Sequence, residues 1–582
     1  MPLFEAACHG VTMSALEGYL ARPWVKSYDP GTPADVLVPD RSVPQAFDEA
    51  TERFRDRTAL VFSDRKITFG ELRDQVDRLA TAFAALGLRK GDRVALYLLN
   101  SPQFVIAYFA ALKAGGVVTA ISPVYTSHEI RFQLADSGAR ILVCQDLLHD
   151  KVVKSGVKVE HLILTSVGEY LPAFKQALGR SFLGKVFRSM AVPDAVAAVP
   201  GALSFQSLLV SHPPSPPAVE IDPAADLAAL PYTGGTTGNP KGVMLTHRNL
   251  VATRTFATAV MGLEQGAETL LAFLPFFHIY GQVVVMFSAI TSGHAQVLFT
   301  TPDLDAILDA VEDWQATVFW GVPTLYETLK EHEKTGRVNW RRLKLIGCGA
   351  DTLHQSTAGG WLARTGTGIR EGYGLTESTA ASHLNPRSGA RPGSFGLPFP
   401  GVDAAIADPD GTAFLPIGEV GELLLSGPNV MRGYWNQPEE SEQCFLHEGG
   451  RTWLRTGDLV RMDEDGFFHY VDRRKDLIKY KGYSVFAKDV EDVLYAHPQV
   501  KAAGVIGVPD PAVGAIIKAV VVLQAEARGK LSEEEIRAFC AERLAHYKVP
   551  RIIEFRGELP KTDVGKVSRR ELRDEHQGGG RP

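Results

Sequence analysis

Between Arg93 and Cys144 apolar runs alternate with amphipathic stretches: VALYLL, SPQFVIAYFAALKAG, VVTAI, a second amphipathic stretch, then RILVC. This order predicts strand–helix–strand–helix–strand. Ser101 before Pro102 marks one helix start, and Thr126 with Glu129 three residues on has the spacing of a capping box at the other. Apolar strands alternating with helices imply a parallel sheet covered on both faces. The alternation recurs from Thr269 to Gly347 in LLAFLP, a VVVMFSAI helix, AQVLF, DLDAILDAVEDW, TVFW, PTLYETL and LKLIG, predicting a second sheet. From Val402 to Asp472 the pattern shortens to alternating strands, with DPDG (Asp408 to Gly411) and DEDG (Asp463 to Gly466) as turns between antiparallel strands. After DRRKD come strands GVIGV and KAVVVL and a helix with a capping box from Ser532 to Glu535. The expected fold is α/β: a large N-terminal domain (1–473) with two βα-layered sheets and a small β unit, a small mobile α+β C-terminal domain (474–575), and a disordered tail (576–582) whose HQGGGRP lacks apolar residues.

Composition narrows the function classes. The chain has 582 residues, 45% hydrophobic and 22% charged, so it buries large cores and divides into more than one domain. A formal charge of −6, from 61 basic and 67 acidic residues, supplies no global field for nucleic acid. The five cysteines (Cys8, Cys144, Cys348, Cys444, Cys540) are scattered, odd in number and without a CxxC pair, which argues against a disulfide framework or a zinc site and for a reducing compartment. The first thirty residues lack an apolar signal region, so a cytoplasmic protein is expected.

Two segments raise a membrane. Thr269 to Pro302 has no Asp, Glu, Lys or Arg, but Pro275, His278, Tyr280, Gly281 and Gln282 inside it suit a strand, a loop and a buried helix better than hydrocarbon. The stretch 170–193 is basic and weakly amphipathic, with Lys175, Arg180, Lys185 and Arg188 among phenylalanines and leucines. It reads either as a surface helix or insertion, or as a peripheral contact at the inner membrane face.

The string YTGGTTGNPKG, Tyr232 to Gly242, combines glycines, threonine hydroxyls and one lysine between apolar segments. Glycines let backbone N–H groups approach an anion, threonines add donors and Lys241 adds a point charge, so the string looks built for phosphate. It is not a Walker A loop, which needs Gly where Pro240 stands and Ser or Thr where Gly242 stands. Taken alone, it reads equally as a flexible turn.

With this string the sequence resembles the adenylate-forming superfamily of acyl-CoA synthetases, luciferases and peptide-synthetase adenylation domains. Further motifs follow in that family's order: EGYGLTE (Glu371 to Glu377), WLRTGDL (Trp453 to Leu459), DRRKDLIKYKG (Asp472 to Gly482) and PKTDVGKVSRREL (Pro560 to Leu572). The likeness is strongest to bacterial medium- and long-chain fatty acyl-CoA ligases. It implies a two-step reaction: a carboxylic acid and ATP give acyl-AMP and pyrophosphate, then coenzyme A displaces AMP, with Mg²⁺ on the phosphates. It assigns Thr233, Gly234, Gly235, Thr236, Thr237, Gly238 and Lys241 to the ATP phosphates, Thr376 to the α-phosphate and Glu377 to the metal. Tyr373 would stack on adenine with Gly349, Ala350, Asp351 and Gly372 around it, and Asp458 and Arg473 would hold the ribose. The glycines at 347 and 349 serve equally for close packing.

Lys566 lies some three hundred residues beyond the phosphate string, so it reaches ATP only if the small domain closes. The resemblance implies a hinge at Lys475 and a rotation that withdraws Lys566 and brings in Lys481 and Gly482, the latter beside the pantetheine arm of CoA. Lys481, where fatty acyl-CoA ligases often have Ser, either polarises the acyl-AMP or is a solvated surface lysine. The acyl pocket would include His278, Trp320 and Gly321. His278 reads as an aromatic gate or as a hydrogen-bonded core residue. Trp320 either points into the pocket and shortens the accepted acid or packs away and lets a long chain pass. The rival readings are an acyl-AMP ligase loading a carrier protein, a luciferase-type oxygenase, and a non-catalytic nucleotide- and acyl-binding homologue. The oligomeric state stays open, a homodimer included.

Overall fold

The computed structural model describes residues 14–172, 199–233, 240–481, 483–562 and 566–578. The basic stretch is largely outside them, as are Gly234, Gly235, Thr236, Thr237, Gly238 and Gly482.

Seven strands form the first sheet, in the order Leu245–Thr246, Leu227–Ala229, Val117–Ala120, Arg93–Tyr97, Ile141–Gln145, His161–Thr165, Leu203–Ser204. All pairs are parallel except the first. The second sheet has nine strands, and its parallel centre runs Arg370–Tyr373, Leu345–Cys348, Val318–Gly321, Thr269–Ala272, Ala295–Leu298, Thr58–Phe62. Antiparallel strands edge it on both sides.

The helix Pro102–Lys113 is buried on nearly every face, which explains an apolar run with little amphipathic contrast. Ser101 caps it and Pro102 opens it, where a missing N–H costs nothing. Just before it, Asn100 ties the two sheets together. Its side-chain amide donates to the Ala272 and Leu274 carbonyls at 3.1 and 2.8 Å and accepts from Phe276 N–H at 2.8 Å. Thr126 and Glu129 form the expected capping box.

The VVVMFSAI segment is helical but wider than an α-helix: Tyr280–Phe287 is a π-helix that tightens into Ser288–Thr291. No helix among the described residues is long and apolar enough to cross a membrane.

DPDG turns the chain after the strand Asp403–Ala407, and DEDG joins the antiparallel strands Arg451–Met462 and Phe468–Arg473. A second core begins at Ile478 and is built from a five-stranded sheet with the helices Ala487–Tyr495 and Glu533–Ala541, the latter closed by the Ser532–Glu535 box. The last helix, Arg569–Gly578, runs three residues past Glu575. Residues 576–578 of the segment expected as a tail thus belong to this helix, anchored upstream by the buried Leu572, and the rest of that segment lies outside the described residues. Cys144, Cys348, Cys444 and Cys540 are free thiols.

Candidate active site

Parallel strands place their carboxyl ends on one edge of a sheet, where ligands bind in open α/β folds. Here Gly321, Cys348 and Tyr373 end neighbouring strands. The chain leaves Cys348 through Gly349, Ala350, with φ of 75°, and the exposed Asp351. Gly347 serves close packing: a Cβ there would stand 2.2 Å from the Trp320 ring, its neighbour in register. Trp320 is only 5% exposed and meets Tyr280 edge-on at 6.0 Å.

After Tyr373 a tight turn runs through Thr376–Ser378 to Thr379 and Ala380, both at positive φ. A Cβ on Gly374 would lie 2.1 Å from the Ala380 carbonyl, so this position demands glycine. Asn429 donates to Ser378 O at 3.2 Å, and Met431 N–H donates to Glu377 O at 2.8 Å. The turn therefore presents Thr376 and Glu377 from a braced backbone. Tyr434 donates its hydroxyl to Glu377 Oε1 at 2.9 Å. Desolvation still raises the Glu377 carboxyl above its ordinary range, a cost that a bound cation would relieve.

Asp458 and Arg473 are register partners on adjacent strands. The Arg473 Nε donates to Asp458 Oδ1 at 3.1 Å, and the Tyr373 hydroxyl donates to Oδ2 at 2.6 Å. Asp458 is 3% exposed, and its charge holds the Arg473 guanidinium well above its usual range. Tyr373, Asp458 and Arg473 thus form one unit, with the tyrosine ring packed against Phe395 at 4.6 Å and His383 at 5.7 Å.

A cavity of ≈ 1530 Å³ opens between the two cores, lined by these residues, by Thr233 and Lys241, and by Lys488, Tyr495 and Lys566 of the C-terminal domain. Lys566 is half-buried. Desolvation lowers its pKa, against which Asp351 and Asp458 favour the ammonium. His278, half-buried nearby, is pushed down to about 4 by desolvation and then by the Lys566 charge, so it is neutral at physiological pH. Its Nδ1 accepts from Tyr280 N–H at 3.2 Å. Lys481 is exposed, at φ 48°, with its ammonium 5.8 Å from the Tyr480 ring, and is not among the residues lining the cavity. Lys475 sits in the single turn Arg474–Asp476 between the two cores.

Polar contacts join the two parts across the cleft. His354 bonds Asp492 Oδ1 through Nδ1 at 3.0 Å and packs on Tyr495 with ring centroids 4.0 Å apart. Arg569 donates to Asp472 at 2.9 Å, Asp476 at 3.2 Å and Glu491 at 3.0 Å. Sequence reasoning missed Tyr434, His354 and Asp492. Tyr434 stands in RGYWNQPEE, which has no physical periodicity to mark it, and the other two matter only through contacts across the cleft.

Residues 47–435 match the AMP-binding enzyme family and 489–566 the AMP-binding enzyme C-terminal domain. A long-chain-fatty-acid–CoA ligase of Bacillus subtilis (strain 168) is 38% identical over 559 residues, covering 95% of this chain and 98% of the relative. One from Escherichia coli O157:H7 is 37% identical over 574 residues, covering 96% and 99%. Among solved structures, ATP-bound MatB from Rhodopseudomonas palustris is similar with a TM-score of 0.80 at 29% identity, covering 93% of this chain and 100% of that one. The chain belongs to the AMP-binding enzymes, and its class of activity is that of an AMP-forming acid–thiol ligase.

Proposed function

We propose that the protein is a fatty acid–CoA ligase that activates a medium- or long-chain acid as acyl-AMP and passes the acyl group to coenzyme A. The observation that carries the reading is Lys566 of the C-terminal domain facing the Tyr373–Asp458–Arg473 unit across one cavity. The curated relatives, which span nearly the whole chain, bear the long-chain name.

A carboxylate and the α-phosphate of ATP repel each other, so the first step needs fixed positive charge and donors at the reacting oxygens. Lys566 and the Thr376 hydroxyl supply these in our reading. Tyr373 and the 349–351 turn flank adenine, while Asp458 accepts from the ribose hydroxyls with Arg473 beside it. The phosphates lie along the hairpin in which Tyr232–Thr233 pairs with Lys241–Gly242. Ligases that form adenylates use ATP and CoA and generally require Mg²⁺. Among the described residues no cluster of three metal-ligating side chains exists. The lone carboxylate Glu377 therefore suits an ion held mostly by phosphate oxygens and water, and Mg²⁺ there would neutralise the departing pyrophosphate.

For the second step Lys566 must leave and the thiol must enter. The hinge at Lys475 and the outlying position of Lys481 support an exchange of the two lysines by domain rotation, with Gly482 beside the pantetheine arm. His278, neutral and with no acidic partner among the described residues, serves better as a wall of the acyl chamber than as a proton carrier. Trp320 lies across Gly347 and, with Met261 and Val284, separates the chamber from a cavity of ≈ 20 Å³ behind it, while Gly321 leaves room for the Tyr326 ring.

The test is AMP release with ATP, Mg²⁺ and acids from acetate to oleate plus benzoate, with and without CoA. CoA-dependent turnover on medium or long chains is expected. Pyrophosphate formed with no use of CoA would point to carrier-protein loading, and silence on every acid would remove the fatty-acid reading.

A further inference from the structure

Lys241 does not stand free beside the phosphate loop. Its ammonium forms an ion pair with Glu440 and lies over the Tyr434 ring, 5.1 Å from the centroid. Tyr434 in turn donates to Glu377 at 2.9 Å. One short segment therefore carries the counter-ion of the phosphate lysine and the partner of the metal carboxylate. That segment is strapped to the loop's hairpin. Trp435 N–H donates to Gly242 O at 2.7 Å, and Met244 N–H donates to Gly433 O at 2.9 Å. Tyr434 N–H donates to Ser441 Oγ at 2.8 Å, which ties the short helix Pro438–Gln443 and its Glu440 to the same frame. On the hairpin's other side, Asp136 accepts from the Tyr232 hydroxyl at 2.5 Å, and its carbonyl accepts from Trp435 Nε1 at 3.1 Å.

A carboxylate on the lysine and a polyphosphate arriving at the same lysine compete for one positive charge. Both side chains line the cavity, and Glu440 is about half exposed, so it can swing away without unfolding anything. We propose that Glu440 is a positioning residue of the nucleotide site. It occupies Lys241 in the ATP-free enzyme as a phosphate would, yields it to the polyphosphate of ATP, and takes it back as pyrophosphate departs. The inference rests on the reading of Lys241 as a phosphate-binding lysine, and it adds a built-in competitor that limits how tightly ATP and pyrophosphate are held.

The experiment measures adenylation in Glu440→Gln, Glu440→Asp and Lys241→Ala, recording the KM for ATP, the inhibition constant of pyrophosphate and the KM for the fatty acid at two salt concentrations. Glu440→Gln is expected to lower both the KM for ATP and the pyrophosphate constant by about two- to five-fold, the size of a partly exposed ion pair, with the KM for the acid unchanged. Glu440→Asp should return both constants toward wild type, and added salt should shrink the difference. A residue that merely supported the fold would not tighten two phosphate ligands together. If Lys241→Ala raises the KM for ATP while Glu440→Gln leaves both constants unchanged or raises them, the competitor role is overturned and the site reading stands. If Lys241→Ala leaves the ATP dependence untouched, the phosphate reading of Lys241 fails and the proposal falls with it.

Discussion

A charge at this site acts through what surrounds it. Lys566 sits among Asp351, Asp458 and Arg473, and desolvation is the largest influence on its proton. Lys566→Ala is expected to lower adenylation by at least ~10²-fold, the scale of a lost transition-state donor, while thioester formation from supplied acyl-AMP stays near wild type. Equal loss in both half-reactions would remove the two-state account. Asp458→Ala frees both Tyr373 and Arg473, and the KM for ATP should rise about ten-fold, one charge-assisted hydrogen bond, with the melting curve retained. Glu371, which accepts from Leu353 N–H at 3.2 Å, has its carboxyl pushed up to about 8, mainly by desolvation. Its folded pKa lies above the ordinary 4.5, so the folded protein holds a proton that the unfolded chain releases between these values. The contribution is complete below 4.5 and is lost as pH rises through 8. Glu371→Gln should therefore gain stability relative to wild type as pH climbs from 5 to 8, by roughly 3–4 kcal/mol at most in paired denaturation curves; a constant difference would contradict the buried carboxyl.

At the scale of elements, the two sheets share one core and are also tied by a single polar side chain. Asn100 satisfies two carbonyls and one N–H at the carboxyl end of the strand Thr269–Ala272 and just beyond it. Asn100→Leu keeps the volume but orphans these groups, and a loss of about 2–4 kcal/mol is expected from chemical denaturation. The pitch of the π-helix Tyr280–Phe287 is not given by local pattern. An apolar run has helical character at either pitch, and the wider turn is set where Gly281 meets the Pro275 carbonyl, 2.2 Å from where a Cβ would sit.

For the whole molecule, the proposed mechanism makes adenylation depend on how long the small domain stays closed. His354 reaches Asp492 and Tyr495 across the cleft. His354→Ala should slow adenylation about two- to five-fold, the worth of a partly exposed polar contact, and leave the second half-reaction unchanged. Proteolysis at 474–478 should quicken in the same variant. An unaltered ratio of the two half-reactions would show that this contact does not hold the closed state.

Much of this was legible along the chain because it is local. Strand and helix alternation, the caps at Ser101, Thr126 and Ser532, the DPDG and DEDG turns and the ordered motifs follow from neighbours a few residues apart. The start of a second core after the DRRKD string could also be reasoned from order along the chain. What only the tertiary structure decided involves partners far apart in sequence. Lys241 meets Glu440, Tyr434 meets Glu377, Tyr373 meets Asp458, and Trp320 folds across Gly347. A pattern of polar and apolar positions fixes which face of an element is buried, but an ion pair or a ring contact depends on the angle and register at which separate elements pack. Those are settled by the packing of whole sheets and domains, so the side chains that hold the chemistry in place emerged only with the fold.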